Sequence, residues 1–249
     1  MAKTKILLLS VTAFLSAAIL SFALAANDWW SKGEETTNQD IVVLLHGLGR
    51  SNTAMWLLAA RIGNACYQVE QVGYSSLNKA PEEIIGNISQ QIDACCAEQD
   101  RTVHFVGHSL GGLLIRAYLQ ENKLEYLGRA VLVGTPNQGT EIVDNMRDNC
   151  LMQLLGPTAN ALGTDDTSLP KQLEPPYYPV GVIAGYYDSD SNDDLLPGRD
   201  DGLVPVESTK LEGMTDFIEI ESGHSMMRYS KDVAKQVIAF LNNGKFHRE

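Results

Sequence analysis

The sequence predicts an α/β fold, a doubly wound and mostly parallel sheet. Short runs of consecutive apolar residues alternate with helical patterns along the chain, and a strand apolar at successive positions is one buried on both faces, as in parallel sheets. A length of 249 residues fits one large domain of this kind. No internal repeat or low-complexity run interrupts the alternation.

The N-terminal segment stands outside that pattern. Lys3 and Lys5 form a short positive region, Ile6 to Leu24 is apolar apart from Ser and Thr, and Ala23-Leu24-Ala25 offers a small-x-small cleavage site. This reads as a secretory signal peptide over residues 1–25, giving a secreted or periplasmic mature chain of residues 26–249. An uncleaved N-terminal membrane anchor is the alternative. The formal charge of -12 argues against nucleic acid or an anionic membrane surface as partner.

The elements follow in order. "IVVLL" (Ile41 to Leu45) is the first expected strand, and a helix over Thr53 to Gly63 follows, capped by Ser51 or Asn52. "YQVEQV" (Tyr67 to Val72) is the second strand. The next helix starts at Pro81, a favoured first position, with Glu82 and Glu83 opposing the dipole and Ile84, Ile88 and Ile92 at helical spacing. "VHFV" (Val103 to Val106) leads into a helix from Ser109 to about Asn122, then into the strand "AVLV" (Ala130 to Val133). "VGVIA" (Val180 to Ala184) and "DFIEI" (Asp216 to Ile220) complete the strands. A last helix, Lys231 to Asn242, carries Val233, Val237, Ile238 and Leu241 on one face. Residues 137–179 break the alternation, with a helical patch near Ile142 to Leu155. So long a connection is read as a cap or lid over the C-terminal edge of the sheet, inserted after the strand ending near Val133. A surface excursion is the alternative.

Four cysteines in an exported chain make a disulfide plausible. Cys95 and Cys96 are adjacent and not expected to bridge each other. Cys66 precedes a strand, at the sheet edge where the Cys95-Cys96 helix ends, so Cys66 with Cys95 or Cys96 is the expected bridge, free thiols being the alternative; Cys150 has no assigned partner. No Cys/His spacing resembles a zinc site.

The chemistry centres on "GHSLG", Gly107 to Gly111. Ser109 follows a strand, opens a helix and has glycine at minus two and plus two, where the sharp turn leaves no room for side chains. Such a turn lifts the hydroxyl clear of the backbone, beside helix N–H groups that favour negative charge. A serine hydroxyl needs a base, and the base needs an orienting acid. Of the histidines, His104 belongs to a strand, His108 diverges from Ser109 within the turn, His247 is terminal and His46 braces the first loop. His224, in "ESGHSMM" between the last strand and the last helix, lies at the same sheet edge as Ser109 and is the expected base. Asp201, opening "DGLVP", is the expected acid, with Asp188 and then Asp200 as alternatives. The backbone N–H groups of Leu48, in "HGLG", and of Leu110 are the expected oxyanion donors. Leu151, Met152, Leu154 and Leu155 are candidates to line an acyl pocket, or else pack the insertion.

With these motifs in this order, "HGLGRS", "GHSLGG", "LVGTPNQG", "DGLVP" and "SGH", the chain resembles the α/β-hydrolase superfamily, and within it the bacterial secreted lipases and esterases. The resemblance covers most of Ile41 to Leu241. It implies a compact version of that fold, because little chain precedes Ile41. It also implies a serine carboxylic-ester hydrolase with Ser109, His224 and Asp201 as triad and no cofactor. Its substrate would be a small-molecule or lipid ester, with contact to a lipid interface compatible with it. A thioesterase, amidase or acyltransferase is the nearest alternative, and a non-catalytic binding protein on the same fold a more distant one. Some members of the superfamily bind a structural calcium; "DSDSNDD" (Asp188 to Asp194) lacks the spacing of a calcium loop and reads as a solvated acidic loop.

Overall fold

The computed structural model describes residues 39–96, 100–147, 150–187 and 196–248, with the backbone alone at 150 and 151. The expected signal peptide, the acidic run 188–194 and the side chain of Cys150 lie outside the described residues.

Six strands form one sheet: β1 (Ile41–Leu45), β2 (Gln68–Val72), β3 (Val103–His108), β4 (Leu127–Val133), β5 (Val180–Tyr186) and β6 (Asp216–Glu221). Their order is β2-β1-β3-β4-β5-β6, and every neighbouring pair is parallel. The chain steps outward from β1 to β2, then returns past β1 to β3. That reversal opens a crevice beyond the carboxyl ends of β1 and β3, where open α/β sheets place their sites.

Residues alternate between the two faces along each strand. Ile41, Val43, Leu45, Val103 and Phe105 meet α2 (Pro81–Cys96) and α3 (Leu110–Glu121) on one face. Val42, Leu44, Val106, Val131 and Val133 meet α1 (Trp56–Gly63) and α9 (Lys231–Asn243) on the other. Pro81 opens α2 with Ile84, Ile88, Ile92 and Cys96 turned inward. At α9, the Ser230 hydroxyl accepts from the Val233 amide at 3.3 Å, and Gly244 at φ 69° closes the C-terminus. A 3-10 turn (Asn52–Met55) precedes α1; Ser51 makes no capping bond there, while Asn52 Oδ1 accepts from the Thr53 amide at 2.9 Å.

Between β4 and β5 lie four short helices: α4 (Glu141–Met146), α5 (Cys150–Leu155), α6 (Pro157–Asn160) and α7 (Leu169–Gln172). Arg116, buried on α3, pins this segment to the sheet layer. Its guanidinium donates to Asn137 Oδ1 at 3.1 Å and to the Leu173 carbonyl at 3.0 Å, and Asn137 Nδ2 donates to the Thr209 carbonyl in α8 (Val206–Thr209) at 2.7 Å. Burial is the main reason its pKa comes down to about 10.

The cysteine expectation is corrected. Cys95 is bonded to Cys96, and Cys66 is an exposed free thiol. Sharing a sheet edge is not sharing a face: Cys96 sits in the core under α2, whereas Cys66 ends the α1 turn, whose neighbour Tyr67 packs on the opposite face.

Candidate active site

Ser109 joins β3 to α3 with φ 57° and ψ -125°, a combination an L-residue holds only where the surroundings impose it. The glycines explain how it fits. A Cβ on Gly107 would stand 2.5 Å from the Gly112 nitrogen, and one on Gly111 would press on the Leu45 backbone, with Leu45 C at 2.7 Å. The Ser109 amide donates to the Val133 carbonyl at 2.9 Å, tying the turn to the end of β4.

His224 and Asp201 meet beside it. His224 Nδ1 lies 2.7 Å from Asp201 Oδ2, and the residues are 8% and 2% exposed. Because a carboxylate only accepts, Nδ1 carries the proton in this bond, and it is the neutral form of the ring that leaves a lone pair on Nε2. Asp201 is fixed by a tight turn: its Oδ1 accepts from the amides of Leu203 at 3.0 Å and Val204 at 2.8 Å, and its carbonyl accepts from the His224 amide at 2.8 Å. Gly134, at φ 57°, leaves the space the pair needs; a Cβ there would lie 3.3 Å from both Asp201 Oδ2 and His224 Nδ1. Asp200 does other work, its Oδ1 accepting from the Gly202 amide at 2.7 Å, while the alternative Asp188 lies outside the described residues. Ser109 and His224 line one cavity, and no hydrogen bond joins them among the described residues.

Leu48 and Leu110 flank the same place. Leu48 lines the cavity, and its amide has no hydrogen-bond partner among the described residues. Leu110 is the first residue of α3, so its amide has no acceptor within the helix. Gly47 lets the loop approach: a Cβ on it would be 3.2 Å from Ser109 Cβ. His46 braces this loop from beneath, stacked on Tyr74 at 3.9 Å, with Nδ1 bonded to the Gly47 carbonyl at 2.9 Å. Burial holds His46 below the ordinary histidine value.

His108 has a part that the sequence did not disclose. It lines the same cavity as Ser109, and its Nε2 donates to the His224 carbonyl at 2.9 Å. Burial first, then the neighbouring His224, keeps it well below the usual histidine range, so it is a neutral brace. Strand alternation points it inward, but only the tertiary fold shows that it meets the loop carrying His224.

The cavity holds about 280 Å³. Ile142, Val143, Met146, Met152, Leu155 and Leu162 of the 137–179 segment give it an apolar wall, and Leu203 and Val204 add to it. Of the expected acyl-lining residues, Met152 and Leu155 are in this wall, Leu154 is 68% exposed and outside it, and the Leu151 side chain lies outside the described residues. Gly47, His108, Ser109, His224, Arg50 and Arg228 also line the cavity.

Residues 41–194 match the family described as palmitoyl protein thioesterase. In structure the chain is similar to the mature lipase BlEst2 of Bacillus licheniformis, at 17% identity over 84% of this chain and 93% of that one, with a TM-score of 0.65. It is also similar to a lipase-esterase related protein of Clostridium acetobutylicum (16% identity, 84% and 96% covered, TM-score 0.52). A metagenomic carboxyl esterase gives 15% identity, 76% and 65% covered, and a TM-score of 0.56. These structures share the fold with this chain. No curated protein matches the sequence.

Proposed function

The chain belongs to the palmitoyl protein thioesterase family, within the α/β-hydrolase superfamily, and from that premise we propose that it hydrolyses carboxylic esters through an acyl-enzyme on Ser109. The observation that carries this reading is the strained Ser109 turn facing one cavity with the buried His224–Asp201 pair.

In the proposed reaction, Ser109 Oγ attacks the acyl carbonyl as His224 Nε2 takes its proton. Asp201 holds the ring in the tautomer with Nδ1 protonated and stabilises the imidazolium. The oxyanion rests on the amides of Leu48 and Leu110, donors already oriented and without competing acceptors. The leaving group departs with the proton from His224. Water then enters, loses a proton to the same nitrogen and releases the acid. The apolar wall receives the acyl chain.

A thioester is the second reading, favoured by the family description. The same groups serve it, because the acyl-enzyme is common to both. The test is hydrolysis of matched oxyester and thioester series from short to long acyl, by the wild-type protein and by Ser109→Ala. Turnover that collapses in the variant supports the reading, and the ester-to-thioester ratio chooses between the two. Wild-type protein inert on every acyl substrate would overturn it. Export with loss of residues 1–25 is also proposed, on the sequence pattern, and N-terminal sequencing of the exported chain tests it.

A further inference from the structure

We infer that the substrate's leaving group carries an anion, a carboxylate or a phosphate, which Arg228 and Arg50 receive in the cavity they line. The inference rests on the acyl-transfer reading of the site.

Arg228 is 6% exposed and lines the cavity, yet it makes no hydrogen bond or ion pair among the described residues, and its Nε is buried without a partner. Its guanidinium lies over the Tyr229 ring at 4.9 Å. That contact holds the group in place and leaves its donors unspent. Arg50, an exposed residue, also lines the cavity and makes no hydrogen bond or ion pair among the described residues. Every other arginine among them donates to a carbonyl, a side-chain amide or a carboxylate. The two without partners therefore meet at one place, in a chain of net charge -12, and no described carboxylate lines that cavity.

A buried guanidinium without an acceptor is costly, and an anion that presents two oxygens side by side is the ligand that satisfies it best. Position assigns the anion to the leaving group. Arg228 follows His224 by four residues, and Arg50 follows the Leu48 loop by two. Arg228 thus stands on the 3-10 turn Met227–Tyr229 that follows the proton donor, and Arg50 at the end of the oxyanion loop. Their charges also reach His108, where, after burial and His224, they help keep that ring neutral. The lining from the 137–179 segment is apolar apart from Thr140 and suits the acyl chain.

The test uses butyrate esters of 4-hydroxyphenylacetate, 4-hydroxybenzylphosphonate and, as the neutral control, 4-hydroxyphenylacetamide. The readout is the anion-to-amide ratio of kcat/KM. Wild-type protein is expected to favour one of the anions by about tenfold or more, and which one distinguishes carboxylate from phosphate. Arg228→Gln and Arg50→Gln should each lower the ratio, their combination should bring it near one, and Arg228→Lys should keep part of it. A wild-type ratio near one, or a ratio unchanged in both glutamine variants, would overturn the inference while leaving the acyl-transfer reading intact. If Arg228→Gln does not fold, Arg50→Gln and Arg228→Lys carry the same comparison. Calorimetric binding of the corresponding butyl ethers to Ser109→Ala, with and without Arg50→Gln, separates the two claims. Anion-selective binding lost with Arg50→Gln, when the wild-type protein turns over no ester, supports the anion site and defeats the acyl-transfer reading.

Discussion

His108 Nε2 donates to the carbonyl oxygen of His224 at 2.9 Å, with the two rings 4.9 Å apart. The residue next to Ser109 in sequence thus holds the backbone of the residue that faces Ser109 in space. His224 is fixed three times, at its ring and its amide by Asp201 and at its carbonyl by His108.

His108→Ala should lower kcat about tenfold, the scale of one lost neutral hydrogen bond, with KM little changed. His108→Gln places an amide N–H near the position of Nε2 and should recover most of the loss. Equal damage from both variants would mean that His108 acts through packing alone.

Asp201→Asn should keep the turn, because an amide oxygen can still accept from Leu203 and Val204. It should cost about 10³- to 10⁴-fold in kcat through loss of the correct His224 tautomer. Circular dichroism checks the fold and steady-state kinetics the loss. A fall of less than tenfold would move the acid role away from Asp201.

Much of this was legible in the sequence, and the reasons are local. The strands of a parallel sheet bury both faces, so each runs apolar without a break, as Ile41 to Leu45 does. The Ser109 turn announces itself because its glycines are sterically compelled. Asp201 was legible because a compact turn holds it, and the structure brings it to His224. The roles of His108 and Arg116 were not legible, since each depends on a contact between segments far apart in the chain. The cysteine pairing failed for a related reason: edge position follows from topology, whereas the choice of face follows from helix packing.

Gly134→Ala should be doubly costly. At φ 57° an added Cβ is strained by about 1–2 kcal/mol, and it also crowds both members of the His224–Asp201 pair. Urea denaturation should show the lost stability, and kcat should fall by at least about tenfold. Full activity in a destabilised variant would show that the pair tolerates the shift.

Stability should decline in mild acid. His46, His104 and His108 are all held below the ordinary 6.5, with burial the largest cause. Unfolding returns them to that value, so the unfolded chain binds more protons as pH falls below it. Their contribution is complete above pH 6.5 and is lost as pH falls toward the folded values. The urea midpoint should therefore drop from pH 7.5 to 5.5, and less steeply in His108→Gln. A midpoint that is flat or rises over that range would contradict this.

Leu162 is 6% exposed and lines the apolar wall. Leu162→Trp should fill part of the cavity and shift preference toward short acyl chains, by about tenfold or more in the long-to-short ratio of kcat/KM. An unchanged ratio would place the acyl chain elsewhere.

The central claim is that Ser109 carries the acyl group. Intact-mass spectrometry of the protein treated with a serine-directed phosphonate tests it most directly, with peptide mapping and with Ser109→Ala as the comparison. The account predicts one adduct per chain, mapped to Ser109, absent from Ser109→Ala and slowed in His224→Gln. A folded wild-type protein that takes up no label, or an adduct that persists in Ser109→Ala, would contradict it.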